Sequence, residues 1–200
     1  MQTELCKRLG IEFPIFAFTH CRDVVAAVSN AGGIGVLGAV GFSAEQLKIE
    51  LDWIDEHIHD RPYGVDVIIP NRYQGQDEKD PDKLRALISA AIPQGHRNFA
   101  DELLDAHGVP RLPEDRKVSG RLMMTEATSA PLIEVALEHE RVRLIANALG
   151  TPPPDIIKQI QDSGRMVGAL CGSPKHARYH VEAGLDFIVA QGGEGGGHTG

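Results

Sequence analysis

Short runs of apolar, often β-branched residues alternate along this 200-residue chain with segments whose apolar residues recur every three or four positions. Runs of the first kind, without polar alternation, read as strands buried on both faces, and runs of the second kind read as amphipathic helices. Strands are expected at 13–17, 34–37, 64–69, 142–146, 166–170 and 186–190. Helices fall between them. Asp23 opens one that Gly32-Gly33 closes, as a C-cap would. Ser43 and Gln46 have capping-box spacing ahead of the stripe Leu47, Leu51, Ile54, Ile58. Further helices are expected at 129–140, at 155–163, and from Ser173-Pro174 to Gly184. The rhythm breaks once, over 71–120. There Asp80-Pro81 starts a helical stripe, Pro93-Gln94-Gly95 interrupts it, and a second short helix ends at Gly108. That stretch reads as a mostly helical insertion after the third strand.

Strand–helix alternation with buried strands implies a parallel sheet covered by helices. Two architectures share that pattern, an open doubly wound sheet and a (β/α)₈ barrel. A complete barrel typically needs about 250 residues, so about six βα units are present here. Periodicity does not choose between the two.

Composition narrows the function. The net charge is −8, the pI is about 5.5, and no basic stripe is present, so nucleic acid is not an expected partner. A phosphate-bearing cofactor stays open, because backbone N–H groups and helix N-termini hold phosphates locally. No apolar run approaches the roughly 20 residues that span a bilayer. The N-terminus carries no signal-type apolar stretch. Cys6, Cys21 and Cys171 are odd in number and widely spaced. They read as free thiols in a reducing compartment, which points to the cytoplasm.

The densest chemical feature closes the chain. Phe187-Ile188-Val189-Ala190 runs into Gln191-Gly192-Gly193-Glu194-Gly195-Gly196-Gly197-His198-Thr199-Gly200. Loops at the C-terminal ends of parallel strands are where such folds place catalysis. Glycines let backbone approach a flat ligand, and their N–H groups can form an anion nest. A histidine there can exchange a proton near neutral pH. The plain alternative is a flexible tail, but linkers rarely begin inside a buried strand. Gly195 to Gly200 also fits G-x-G-x-x-G after a strand, a weak dinucleotide signal. Gly33 to Gly38 fits it in the reverse context and is rejected. His57/His59 and His176/His180 have metal-like spacings, but lie on predicted helix surfaces and read as solvated side chains, so no metal site is expected. Cys171 reads as a small core residue. Asp66 is unusual, because a carboxylate inside a β-branched strand is costly unless paired or lining a site.

The stretch Ala183 to Gly200, with strand, Gln-Gly, glycine loop and His-x-Gly in order, resembles the signature of nitronate monooxygenases. Leu9 to Ile15, Ala31 to Gly35 and Tyr63 to Val67 are similar to other parts of that family, and the likeness covers most of the chain outside 71–120. It implies a TIM barrel with non-covalent FMN at the C-terminal face. His198 would be the catalytic base. Gln191, Gly192, Gly196 and Gly197 would contact the flavin from the loop, and Ala17, Phe18 and Asp66 from the first and third strands. The implied reaction is oxidative denitrification of alkyl nitronates or nitroalkanes with O₂. The implied partners are that small molecule and O₂, with no membrane and with homo-oligomerisation left open. Main phosphate contacts are expected beyond residue 200. Two departures stand out: Phe16-Ala17-Phe18-Thr19-His20 replaces the family's usual Pro-Met-glycine strand end, and Asp66 stands where Asn is common. Flavin-dependent enoyl-thioester reductases, which use NAD(P)H, resemble the same family, so that activity is an alternative. A degenerate flavin-binding module is another.

Overall fold

The computed structural model describes residues 2–70, 73–78, 80–113 and 125–195. The chain forms two compact units, Met1–Asn71 with Met123–Gly200, and Arg72–Leu122.

The larger unit is one six-stranded sheet. Its strands are β1 (Phe16–Thr19), β2 (Ile34–Gly38), β3 (Tyr63–Val67), β4 (Val142–Asn147), β5 (Met166–Cys171) and β6 (Phe187–Ala190). They neighbour one another in sequence order, and every pair is parallel. A doubly wound sheet reverses its order from the centre. The sequential order therefore rules that alternative out and matches part of a barrel. The helices of this unit are α1 (Glu4–Leu9), α2 (Arg22–Asn30), α3 (Ala44–His57), α6 (Glu126–Glu138), α7 (Pro154–Asp162) and α8 (Pro174–Glu182). The smaller unit holds α4 (Pro81–Ala91) and α5 (Gln94–Ala106). Its α4 is capped by Asp80, whose side chain accepts from Asp82 and Lys83 N–H, and Arg111 pairs with Asp101 and Asp105. Among the described residues no helix is long and apolar enough to cross a membrane.

The first strand lies three residues later at its start than the apolar run suggests. Glu12 and Phe13 N–H both donate to Gly32 O at 2.9 Å, which makes a turn, and Pro14 has no N–H to give a ladder. The third strand ends at Val67 because Ile69 N–H donates to the Asn147 side chain at 2.8 Å instead of to a strand. Helix α6 starts at Glu126, earlier than expected, because Thr125 and Thr128 form the capping box. Helix α1 is absent from the sequence reading. Thr3 caps it, accepting from Cys6 N–H, and Gly10 ends it at φ 73°, a conformation glycine adopts without a Cβ penalty.

Side chains divide between the two faces of the sheet. The outer face meets the helices in an aliphatic layer that includes Val25, Leu51, Ile54, Val65, Ile145 and Ile160. On the inner face Ile34, Val36, Leu144 and Met166 pack against Cys6, Leu9 and Ile11, so α1 covers the N-terminal end of the inner face. His139, expected on the face of α6, is its buried C-cap, and its Nδ1 lies 2.6 Å from Asp55 Oδ2, tying α6 to α3.

Candidate active site at the C-terminal strand ends

The strand registers define a row that slants across the inner face, from the C-terminal ends of β1 and β2 to the start of β6. Gly38 pairs with Asp66, Asp66 with Ala146, Ala146 with Gly168, and Gly168 with Phe187. Continuing the β1 register by one residue brings His20 opposite Gly38. Parallel strands place in-register side chains on the same face, so the row reads His20, Gly38, Asp66, Ala146, Gly168, Phe187.

Two glycines in this row are occupied by a neighbour. A Cβ on Gly38 would lie 2.5 Å from His20 Cε1 and 2.6 Å from its Nδ1. A Cβ on Gly168 would lie 2.4 Å from the Phe187 ring. One row below, Leu144 fills the space over Gly64 in the same way, at 2.5 Å. Sequence reading gave none of these glycines an inward packing role. A glycine at an inward position of a buried strand was their signal.

Asp66 stands between the two occupied glycines, 7% exposed. Among the described residues no hydrogen bond or ion pair reaches its carboxyl group. Burial alone pushes its pKa from the ordinary carboxylate range up to about 7, because a low-dielectric surrounding disfavours the charged form. The carboxylate singled out inside the third strand is thus buried on the inner face without a partner among the described residues.

Phe18 also faces inward. Its ring reaches to 2.9 Å from the Cβ position of Gly38, stands edge-on to the His20 ring, and is 58% exposed. Ala17 does not share that face. It pairs with Gly35, whose own Cβ would strike the Val25 backbone of α2 at 2.5 Å, so this position points to the helices. A ligand on the inner face would meet Ala17 only through its backbone. Gln191 follows β6, with its N–H donating to Cys171 O at 3.0 Å. Gly192 to Gly195 form a turn closed by Gly195 N–H to Gly192 O at 3.1 Å, and a Cβ on Gly195 would meet the Gln191 side chain at 2.9 Å. Gly196, Gly197 and His198 lie outside the described residues.

Two polar residues missed from sequence shape the loops at this end. Asn147, fully buried, donates from Nδ2 to Ile69 O, Leu149 O and Gly150 O at 3.2, 3.0 and 2.9 Å, and accepts from Ile69 N–H. Its amide thus clamps the exit of β3 to the loop after β4. His180 is the second, and it corrects an expectation. It is buried, not solvated: Nδ1 lies 2.9 Å from Thr151 Oγ1 and Nε2 3.0 Å from Leu170 O. Because Leu170 O can only accept, Nε2 carries the proton and Nδ1 accepts from Thr151. A cavity of about 180 Å³ adjoins it, lined by Leu149, Thr151, Leu170, His176 and Tyr179 among others. His57, His59 and His176 are exposed, with His57 stacked on Trp53 at 3.8 Å, and Cys171 is buried. Among the described residues no group of three His, Cys, Asp or Glu side chains could hold a metal ion.

Known proteins resemble this chain in sequence and in fold. The family model for nitronate monooxygenase matches residues 2–200. A Mycobacterium tuberculosis protein named as a monooxygenase is 50% identical over the whole chain, which covers 53% of it. A Staphylococcus aureus protein named as a nitronate monooxygenase is 26% identical over the whole chain, which covers 51% of it. The chain thus spans about half the length of the curated relatives it matches. In fold it is similar to the nitroalkane oxidase of Streptomyces ansochromogenes, with a TM-score of 0.70 and 23% identity over 99% of this chain and 51% of that one. It is also similar to FabK of Thermotoga maritima, with a TM-score of 0.64 and 22% identity over 100% of this chain and 47% of that one. Sequential parallel strands, a glycine loop after the sixth and a family match along 2–200 lead to one conclusion: this chain belongs to the nitronate monooxygenase family, a family of oxidoreductases.

Proposed function

We propose that this chain supplies the flavin-binding end of a (β/α)₈ barrel enzyme that oxidises alkyl nitronates or nitroalkanes with O₂. The observation that carries the reading is Asp66, a buried carboxyl group without a partner among the described residues, standing at the C-terminal strand ends of a family member. An orphaned group of that kind fits a ligand whose edge carries both N–H and C=O groups, as FMN does. Protonated, Asp66 donates; ionised, it accepts. Phe18 offers an aromatic surface beside it. Gln191, Gly192, Gly196 and Gly197 would hold the flavin from the β6 loop, where glycine lets backbone N–H groups come close. Ala17 would contribute only its backbone.

When bound, FMN supplies the electron acceptor for nitronate oxidation. The protein handles the proton. For a neutral nitroalkane His198 removes the α-hydrogen, leaving the nitronate anion, a general-base step. The insertion over 71–120 leaves the chain just after β3 and would serve as a cover that limits water and sets substrate access. The reading is tested by the absorbance spectrum of FMN-loaded protein in the absence of air, before and after adding ethyl nitronate. Loss of the oxidised-flavin absorbance is expected. Failure to retain FMN, or a spectrum unchanged by nitronate but bleached by NADPH, sinks it.

A further inference from the structure

The two departures from the family pattern noted in the sequence, His20 and Asp66, are brought into one row of the inner face. Gly38 lies between them, and the His20 ring occupies the space where Gly38 would carry a side chain. Gly38 is paired with Asp66 on the neighbouring strand, and neighbouring strands are about 4.8 Å apart, so the imidazole lies over the strand next to the one that carries Asp66. Its protonation is set by the backbone. Nδ1 lies 3.2 Å from Gly38 O, and a carbonyl oxygen only accepts, so neutral His20 carries its proton on Nδ1. That leaves Nε2 as a lone-pair acceptor, without another hydrogen bond among the described residues. Asp66 is buried, whereas His20 is exposed. The other row members, Gly38, Ala146, Gly168 and Phe187, carry no charge. Asp23, at the start of α2, lies within 3.5 Å of Cys21 Sγ instead.

We propose that Asp66 and His20 form a proton relay, which links the buried inner row to solvent at the mouth. The Asp66 O–H bond breaks, its proton passes to His20 Nε2 through an intervening water, and the carboxylate keeps the electron pair. The imidazolium then releases a proton to solvent. The reverse sequence recharges Asp66. An acid that titrates near neutrality suits this exchange, since neither direction is steeply uphill. The use of the relay in turnover rests on the flavin reading above; the coupling of the two groups does not.

The test begins with ¹⁵N-histidine and ¹³C-aspartate NMR of the full chain. At high pH the His20 Nδ1 signal is expected at the protonated position and Nε2 at the unprotonated one. Asp66→Asn removes the neighbouring carboxyl group and is expected to change the His20 ring signals. His20→Gln removes a neighbouring base and is expected to raise the Asp66 midpoint. Unchanged ring signals and an unmoved midpoint in the folded variants overturn the pairing. In FMN-loaded protein, the turnover lost in His20→Ala is expected to recover several-fold with added imidazole, and that lost in Asp66→Asn is not. A folded His20→Ala that is unimpaired, or not rescued, overturns the relay. Intact coupling in a protein that does not oxidise nitronate removes the proposed function and leaves the pair standing.

Discussion

The two faces of the sheet handle glycine and charge in opposite ways. On the outer face Gly35 is pressed against the backbone of Val25, with a hypothetical Cβ 2.5 Å from its Cα and 2.6 Å from its O. On the inner face Gly38 is covered by the ring of His20, a side chain on an exposed segment. The outer layer is closed by aliphatic groups, and β2 and β3 bury every residue there. The top of the inner face instead keeps an exposed phenyl ring and a carboxyl group without a partner among the described residues. Packing that cannot yield fixes the fold, and packing that can yield is concentrated where a ligand would enter. A protein can leave a polar group unpaired only if something else repays the cost, and that something is usually function.

The comparison can be broken in four places. The largest effect is expected at His198, in the loop that follows the inner face of β6. His198→Asn should lower turnover of neutral nitroalkane by roughly 10²–10⁴, the usual range for a lost base. It should affect pre-formed nitronate far less and should leave FMN bound. Equal losses on both substrates in a kcat/KM comparison would refute proton abstraction.

Next comes Asp66. Its folded pKa, about 7, lies above the ordinary 3.8. The neutral acid is therefore the form that the fold favours. Stability from this group is complete below about pH 4, falls as the pH rises, and is lost above about pH 7. The full span is at most about 4 kcal/mol, since one pH unit corresponds to about 1.4 kcal/mol. Asp66→Asn should raise the denaturation midpoint of the FMN-free chain at pH 8 and barely move it at pH 4. A pH-independent difference would contradict the burial-driven shift.

Gly35→Ala follows, at about 3 kcal/mol of destabilisation, because neither strand nor helix backbone can retreat. Gly38→Ala should cost about 1 kcal/mol, since the His20 ring can swing out. It should also abolish the Nδ1-protonated signature of that ring. Chemical denaturation checks both, and similar costs at the two glycines would erase the distinction between the faces.

The sheet was legible because its strands are buried on both sides and so carry apolar, largely β-branched runs, as in Val65 to Ile69, where Asp66 alone breaks the run. Capping by Ser43, Asp80 and Ser173 was legible because a cap is a local hydrogen bond. Phe13 to Ile15 read as strand because apolar character does not reveal that Gly32 O has captured two N–H groups. Six-residue α1 carried too few turns to show a period, although Thr3 and Gly10 marked its ends. His180 was misread as solvated because helix spacing does not say which carbonyl a ring will find. The glycine loop and Asp66 stood out as residues out of keeping with their strands. The closeness of His20 to Asp66 was not legible, because it depends on the pairing of three strands.

Helix α1 has a wider consequence. With Cys6, Leu9 and Ile11 set into the N-terminal end of the inner face, apolar side chains close that end. On the reading proposed above, a ligand would therefore meet the inner face from the opposite end, where the His20 side chain lies exposed.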